Sequence, residues 1–294
     1  MFFTRSSDPV DLSGRTAVVT GGGTGLGAAI TALLAGRGCR VLIGSRNEER
    51  VTKAAAQWRA DGLAVDARRC DVTSREDVFA LRDAALTSTG RLDLWVNNAG
   101  RAGAFGPIRL TPESDFLATT DTVIRGTYFG SLAALDVMVP QGAGDLINLL
   151  GRGDDAPVTN QAAYGSAKTW VRAFTRALAS EQKGSGVRVH AFNPGLVRTD
   201  MLGRIDAVRG YGQGLARFPS VVATLGLDPD EAARPLLDLI GSDRLEYRGT
   251  EPVRLLGAAT GNLRRRMKHG RSAPEPIEVT EVEPRAVDQP PTPA

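Results

Sequence analysis

The sequence predicts an α/β fold: a Rossmann-type doubly wound parallel sheet of about seven strands with helices on both faces. Two observations carry this. Short β-branched or apolar runs alternate with helix-sized segments along most of the chain, and a glycine-rich turn directly follows the first run. At 294 residues and 42% hydrophobic content, the chain can bury one sizeable core.

The elements follow in order. The strands are TAVVTG (16–21), RVLIGS (40–45), LAVDARRCD (63–71), LDLWVNNAG (92–100), GDLINLLG (144–151), VRVHAFNPG (187–195) and PVRLLG (252–257). Helical segments at 25–37, 47–60, 74–88, 113–139 and 162–183 separate the first six. Right-handed crossovers between such strands wind the sheet in both directions. Thr73-Ser74-Arg75-Glu76 reads as a capping box for the third helix, and Thr111-Pro112 as an N-cap followed by an N1 proline for the fourth. Residues 200–228 carry five glycines without clean periodicity and are expected to form a lid or an irregular surface connection. Residues 1–271 therefore read as one domain, with its lid at about 200–228. The basic run at 263–271 reads as a solvated helix end, and the Pro/Glu-rich 272–294 as a disordered tail.

Composition limits the function. A formal charge of +3 gives no case for nucleic acid. No apolar run reaches the roughly 18–20 residues needed to span a bilayer, and the first residues lack an apolar h-region. Cys39 and Cys70 cannot make a disulfide framework and read as small buried hydrophobes. A cytoplasmic location is expected. His190 reads as a satisfied strand histidine, and with no second histidine nearby no metal site is expected.

The turn Thr20-Gly21-Gly22-Gly23-Thr24-Gly25-Leu26-Gly27 lies between a strand and a helix, where glycines let a pyrophosphate approach the backbone and the helix N-terminus. At the end of the second strand, an acidic residue would accept the ribose hydroxyls of NAD. Here the chain reads Gly44-Ser45-Arg46, and the first carboxylate is Glu48. Ser45 and the Arg46 fork suit a 2′-phosphate, so NADP(H) is expected, with NAD(H) as the alternative. Tyr164 and Lys168 lie four apart on one helix and share a face. A phenol titrates near ~10 and an ammonium neighbour favours phenolate, so a close lysine is expected to lower it.

In these motifs the chain resembles the short-chain dehydrogenase/reductase family. TGGGTGLG matches T-G-x-x-x-G-x-G, Asn97-Asn98-Ala99-Gly100 matches N-N-A-G, and Tyr164-Gly165-Ser166-Ala167-Lys168 matches Y-x-x-x-K. Asn193-Pro194-Gly195 with Thr199 matches P-G-x-x-x-T, and the resemblance covers roughly 12–257. It implies catalysis by Tyr164 as general acid with Lys168 lowering its pKa and holding the ribose. It also implies a cofactor site of Gly21, Thr24, Gly25, Leu26, Gly27, Ser45, Arg46, Asp71, Val72, Asn98, Ala99, Gly100, Tyr164, Lys168, Pro194, Gly195, Val197 and Thr199. For Asp71 an adenine contact is implied, with capping of the next helix as the local alternative.

Two positions depart from the pattern. The resemblance implies a serine where Gly151 stands and an asparagine where Val123 stands. Loss of a hydroxyl that steadies an oxyanion costs about 10²–10³ in turnover. Either a substrate group supplies the bond, or Arg152, Asp154, Asp155, Thr159 or Asn160 reaches in, and Gly151 is expected to leave room for a bulky or polycyclic carbonyl. The expected activity is NADP(H)-dependent reduction of a ketone or aldehyde, or the reverse oxidation, on a small molecule. The alternatives are a catalytically silent NADP-binding scaffold or redox sensor, and net non-redox chemistry such as epimerisation. The resemblance further implies a homodimer or homotetramer built on the two long helices.

Overall fold

A computed structural model describes residues 10–251, 256–257, 259–262 and 277–286. Its strands, taken along the chain, are β1 (Thr16–Thr20), β2 (Arg40–Ser45), β3 (Val65–Arg69), β4 (Leu94–Asn97), β5 (Gly144–Leu149), β6 (Val187–Asn193), β7 (Arg204–Val208), β8 (Glu246–Arg248) and β9 (Glu278–Val282). The main sheet has seven parallel strands in the order β3-β2-β1-β4-β5-β6-β8. Helices α1 (Gly25–Ala35), α2 (Glu48–Ala60), α3 (Arg75–Thr89), α4 (Glu113–Thr120), α5 (Gly126–Gln141) and α6 (Ala162–Glu181) connect its first six strands.

Alternation along the strands gives each face its own core. Ala17, Val19, Val41, Ile43 and Phe192 pack with Ile30 and Leu34 of α1 on one side. Val18, Leu42, Trp95 and Leu146 pack with Leu81 of α3 and Met138 of α5 on the other. Cys39 and Cys70 are buried in these layers, and burial pushes both thiols up to about 12, so they act as inert packing groups. His190 is satisfied as expected: Nδ1 lies 2.7 Å from the Arg244 carbonyl and Nε2 3.2 Å from Asp145.

A polar chain crosses the buried middle of the sheet. Trp95 Nε1 donates to Asn97 Oδ1 (2.7 Å), Asn97 Nδ2 to Asn148 Oδ1 (2.8 Å), and Asn148 Nδ2 to Thr175 Oγ1 (3.0 Å). Gly130 gives this chain its space: a Cβ there would sit 1.9 Å from Asn97 Oδ1. Strands β4 and β5 and helices α5 and α6 are thereby held in one register behind the strand ends.

Several boundaries differ from the sequence reading. The seventh strand is the three-residue β8, where Tyr247 stacks on Phe192 (centroids 5.1 Å apart) between two charged neighbours that hide it in the sequence. Of the expected strand 252–257, residues 256–257 are helical and 252–255 lie outside the described residues. The cap of α3 is Ser74, one residue on, accepting from Asp77 N. Helix α4 begins after Pro112, and Thr111 Oγ1 donates instead to the Pro107 carbonyl. The long fourth helix is interrupted by a π turn at Asp121–Arg125.

Of the expected disordered tail, residues 272–276 and 287–294 lie outside the described residues, while 277–286 are ordered. Within it β9 pairs in parallel with β7, the strand of the expected lid. Ile277 joins Ile205, Ala207, Leu215, Phe105 and Phe218 in a small apolar cluster, and Arg204–Glu278 (2.8 Å) and Arg209–Glu283 pair across the strands. Charge complementarity and this apolar anchor outweigh a composition that alone predicts disorder. The basic run 263–271 lies outside the described residues. None of the helices among the described residues is long and apolar enough to cross a membrane.

Replacing Asn148 by leucine would take the nearest acceptor from the Asn97 amide, which keeps only 3.3 Å bonds to the Thr127 carbonyl and Ser131 Oγ, and the donor from the Thr175 hydroxyl, which keeps its bond to the Val171 carbonyl. We expect a loss of about 1–3 kcal/mol, read as a lower urea midpoint at unchanged slope; an unshifted midpoint would contradict the role given to this chain.

Candidate active site

The order of strands reverses beside β1, which pairs with β2 on one side and β4 on the other. At such a reversal the loops leaving the strand ends part in opposite directions and open a crevice. A cavity of about 420 Å³ occupies that crevice, lined from Ser45 and Arg46 at one end to Gly151 and Tyr164 at the other.

Its floor is a set of backbone latches. Asn98 Nδ2 donates to the carbonyls of Thr20 (2.9 Å) and Gly21 (3.1 Å), and Thr20 Oγ1 accepts from the amides of Asn98 and Ala99, both at 3.1 Å. Gly25 has φ +51°, a conformation that disfavours a side chain, and a Cβ on Gly27 would stand 2.1 Å from the Gly21 carbonyl. The turn is thus drawn against α1, whose first turn carries no acidic residue and presents free amides to the cavity. This shape fits a pyrophosphate.

Every expected cofactor residue lines the cavity except Asp71. The Asp71 carboxylate accepts from Thr73 N (3.0 Å) and Thr73 Oγ1 (2.8 Å), closing the turn that leads into α3. The carboxylate serves that local turn and not the cavity wall. Asn98 borders the cavity, although its side-chain amide is spent on the latch. Arg46 is exposed and, among the described residues, takes part in no ion pair within 4 Å, so its fork is available to an anion.

At the other end, α6 presents Tyr164 and Lys168 beside the end of β5. Lys168 Nζ donates to the Leu149 carbonyl at 2.7 Å and stands 5.7 Å from the Tyr164 ring centroid. Burial pushes the phenol up to about 12, helped by the negative charge of Asp154. Burial also pulls the lysine down to about 8, with Asp154 opposing. The expected lowering of the phenol is therefore reversed in this arrangement: the ammonium is engaged with a backbone carbonyl, and desolvation of phenolate prevails.

The two substituted positions differ in kind. Val123 lies in the π turn, fully buried among Leu150, Ala167, Val171 and Ala191 and outside the lining of this cavity; its neighbour Thr122 is part of that lining. Gly151 lines the cavity, but the room expected beside it is filled. A Cβ there would be 2.4 Å from the Tyr164 hydroxyl.

Of the side chains expected to reach in, only Arg152 lines the cavity. Asp154 points away and accepts from Asn193 Nδ2 (3.1 Å), while Arg248 bridges Asp154 and Asp155. Thr159 and Asn160 stand outside the lining, whereas Gln161, which sequence reasoning missed, is part of it. The lid adds an apolar wall of Met201, Leu202, Ile205, Leu215 and Phe218, also unforeseen because its residues follow no period. Among the described residues there is no cluster of three potential metal ligands.

Known proteins share this construction. The sequence pattern of the short chain dehydrogenase family matches residues 15–209. The 2-(R)-hydroxypropyl-CoM dehydrogenase of Xanthobacter autotrophicus is 34% identical over 209 residues, spanning 70% of this chain and 84% of that protein. The crystal structure of an actinorhodin polyketide ketoreductase variant with NADPH superimposes with a TM-score of 0.71 at 28% identity, over 80% of this chain and 96% of the other. A short chain dehydrogenase/reductase from Burkholderia phymatum in complex with NAD shares the fold at a TM-score of 0.76 and 22% identity, over 92% of this chain and all of that one.

Proposed function

Because the chain belongs to the short-chain dehydrogenase/reductase family of oxidoreductases, we propose that it is an NADPH-dependent reductase of a ketone or aldehyde, with Tyr164 as general acid. The observation that carries this reading is the convergence of Tyr164, Lys168, the glycine turn and the turn at 194–199 on one cavity. The Tyr164/Lys168 pair, the glycine turn and the turn at 194–199 come from three separate stretches of the chain.

NADPH, when bound, supplies the hydride that reduces the carbonyl carbon. The chain does the rest. The α1 N-terminus and the glycine turn hold the pyrophosphate, and Ser45 with Arg46 receives the 2′-phosphate. Lys168 holds the ribose. Tyr164 delivers a proton to the carbonyl oxygen. A phenol held up to about 12 keeps its proton at any physiological pH. It still gives that proton downhill to an alkoxide, a base comparable with hydroxide and stronger than the phenolate. A site with this bias runs more readily as a reductase than as an alcohol oxidase, where phenolate would be required.

The apolar lid wall and Phe105 favour a bulky, largely apolar carbonyl compound, and the likeness to a polyketide ketoreductase points the same way. Tyr128, Trp170 and Phe174 form an aromatic patch across α5 and α6, with Trp170 stacked on Phe174 at 4.6 Å. This patch is the proposed meeting face of a homodimer or homotetramer.

Three outcomes test the reading. Tyr164→Phe should cut carbonyl-dependent NADPH oxidation by about 10²–10⁴-fold while NADPH still binds; equal activity in the variant removes Tyr164 from the chemistry. Arg46→Ala should weaken NADPH binding roughly tenfold to hundredfold, as expected for a charged hydrogen bond, and leave NADH almost unchanged. Equal losses for both cofactors would assign Arg46 elsewhere. In the reducing direction kcat/KM should fall as pH rises through about 8, where Lys168 loses its proton, with the phenol limb lying near 12. A profile flat across pH 8 would show that the charge on Lys168 is not needed.

A further inference from the structure

Between β5 and α6 the backbone of Gly151 and the hydroxyl of Tyr164 share one small volume. A Cβ on residue 151 would stand 2.4 Å from the Tyr164 oxygen, 3.3 Å from Cζ and 3.5 Å from Lys168 Cε. The first distance is far inside van der Waals contact, so no side chain fits at 151 with the ring where it is.

Neither partner can recede freely. The Tyr164 ring packs on the buried apolar cluster of Val123, Leu150, Ala167, Val171 and Ala191. The turn at 151–153 is pinned to α6, where Thr169 Oγ1 donates to the Gly153 carbonyl at 2.6 Å. Gly153 approaches Gly165 so closely that a Cβ on Gly153 would lie 2.4 Å from the Gly165 Cα. Beyond it, Asp154 N donates to the Gly151 carbonyl at 3.2 Å, and the Asp154 carboxylate is held by Asn193 and Arg248. The turn is anchored to the end of β6 as firmly as to α6.

We infer that Gly151 is a positioning residue: by carrying no side chain it lets the Tyr164 hydroxyl stand in the volume a serine there would fill. One phenol then serves where the family resemblance implies two hydroxyls. Residue 151 admits the ring, and the apolar cluster that includes Val123 packs against it. In its catalytic half this rests on the reductase reading; in its steric half it does not.

The two accounts of Gly151 differ in sign. If a hydroxyl were simply missing, Gly151→Ser would raise turnover by about 10²–10³-fold. If the phenol occupies the space, Gly151→Ser and Gly151→Ala both displace it, and a displacement on the order of 1 Å costs about 10²-fold in kcat. The preference for NADPH over NADH, which Ser45 and Arg46 govern at the far end of the cavity, should stay within about twofold in either variant, since rigid sites more than roughly 7–10 Å apart act independently.

A thermal-unfolding cycle tests the contact without any turnover. Gly151→Ala should lower Tm, as overpacking does. Adding Tyr164→Phe, which removes the clashing oxygen, should return most of that loss. In an ultraviolet difference titration, the tyrosine lost on Tyr164→Phe should ionise near 12 in the parent protein and lower when alanine stands at 151. Strictly additive Tm changes, or a Gly151→Ser enzyme as active as the parent or more so, would overturn the inference. Absence of Tyr164-dependent NADPH oxidation in the parent protein would instead overturn the reductase reading, leaving the Tm cycle to decide the contact on its own.

Discussion

The site depends on the latch between the first and fourth strands. Parallel strands on either side of a reversal send their loops apart, and nothing in the sheet itself controls how wide that opening becomes. Here the Asn98 side chain ties the end of β4 to the Thr20 and Gly21 carbonyls, and the Thr20 hydroxyl receives two amides in return. With Gly21 so fixed, α1 can approach only because residue 27 has no side chain. The width of the cavity, the aim of the α1 amides and the distance across to Tyr164 all follow from that one closure.

Behind the latch, polarity is handled in two ways. The Asn97–Asn148–Thr175 chain is neutral and internally satisfied, so it specifies register without holding charge in the core. The carboxylate of Asp154 is different: it is buried, its pKa is raised by that burial, and its field reaches both Tyr164 and Lys168. Asn193 and Arg248 keep it from entering the cavity. The phenol is held protonated while the lysine is pulled down to about 8, two shifts whose main physical origin is desolvation.

Much of this was legible in the sequence, for reasons that differ by residue. The strand–glycine–helix turn and the Tyr164/Lys168 pair are local patterns whose chemistry follows from spacing, and Asn97 to Gly100 stood out through the family resemblance. The positions of six strands followed from short β-branched or apolar runs set between helical segments. Strand β8 was invisible because three residues with one aromatic carry no period, and its strength lies in the stack on Phe192. Asp71 falls outside the cavity lining because its partner, Thr73, stands two residues away and competes locally for the carboxylate. The absence of a serine at 151 could be read directly. That the neighbouring ring fills the gap could not, since it depends on how far α6 lies from β5.

The pairing of β7 with β9 makes the two sides of the cavity unequal in a further respect. Arg204 and Glu278 are 74 residues apart, and the last of the main strands ends well before that partner arrives. On a ribosome, the floor of the cavity can be completed while the apolar lid wall still has an open strand edge. Closing so long a loop adds entropy only slowly with length, but it cannot begin until β9 has emerged. A chain cut short after β8 would keep the floor and lose the wall's support, so what the wall recognises is set late in biosynthesis and is the first thing an abbreviated product would forfeit.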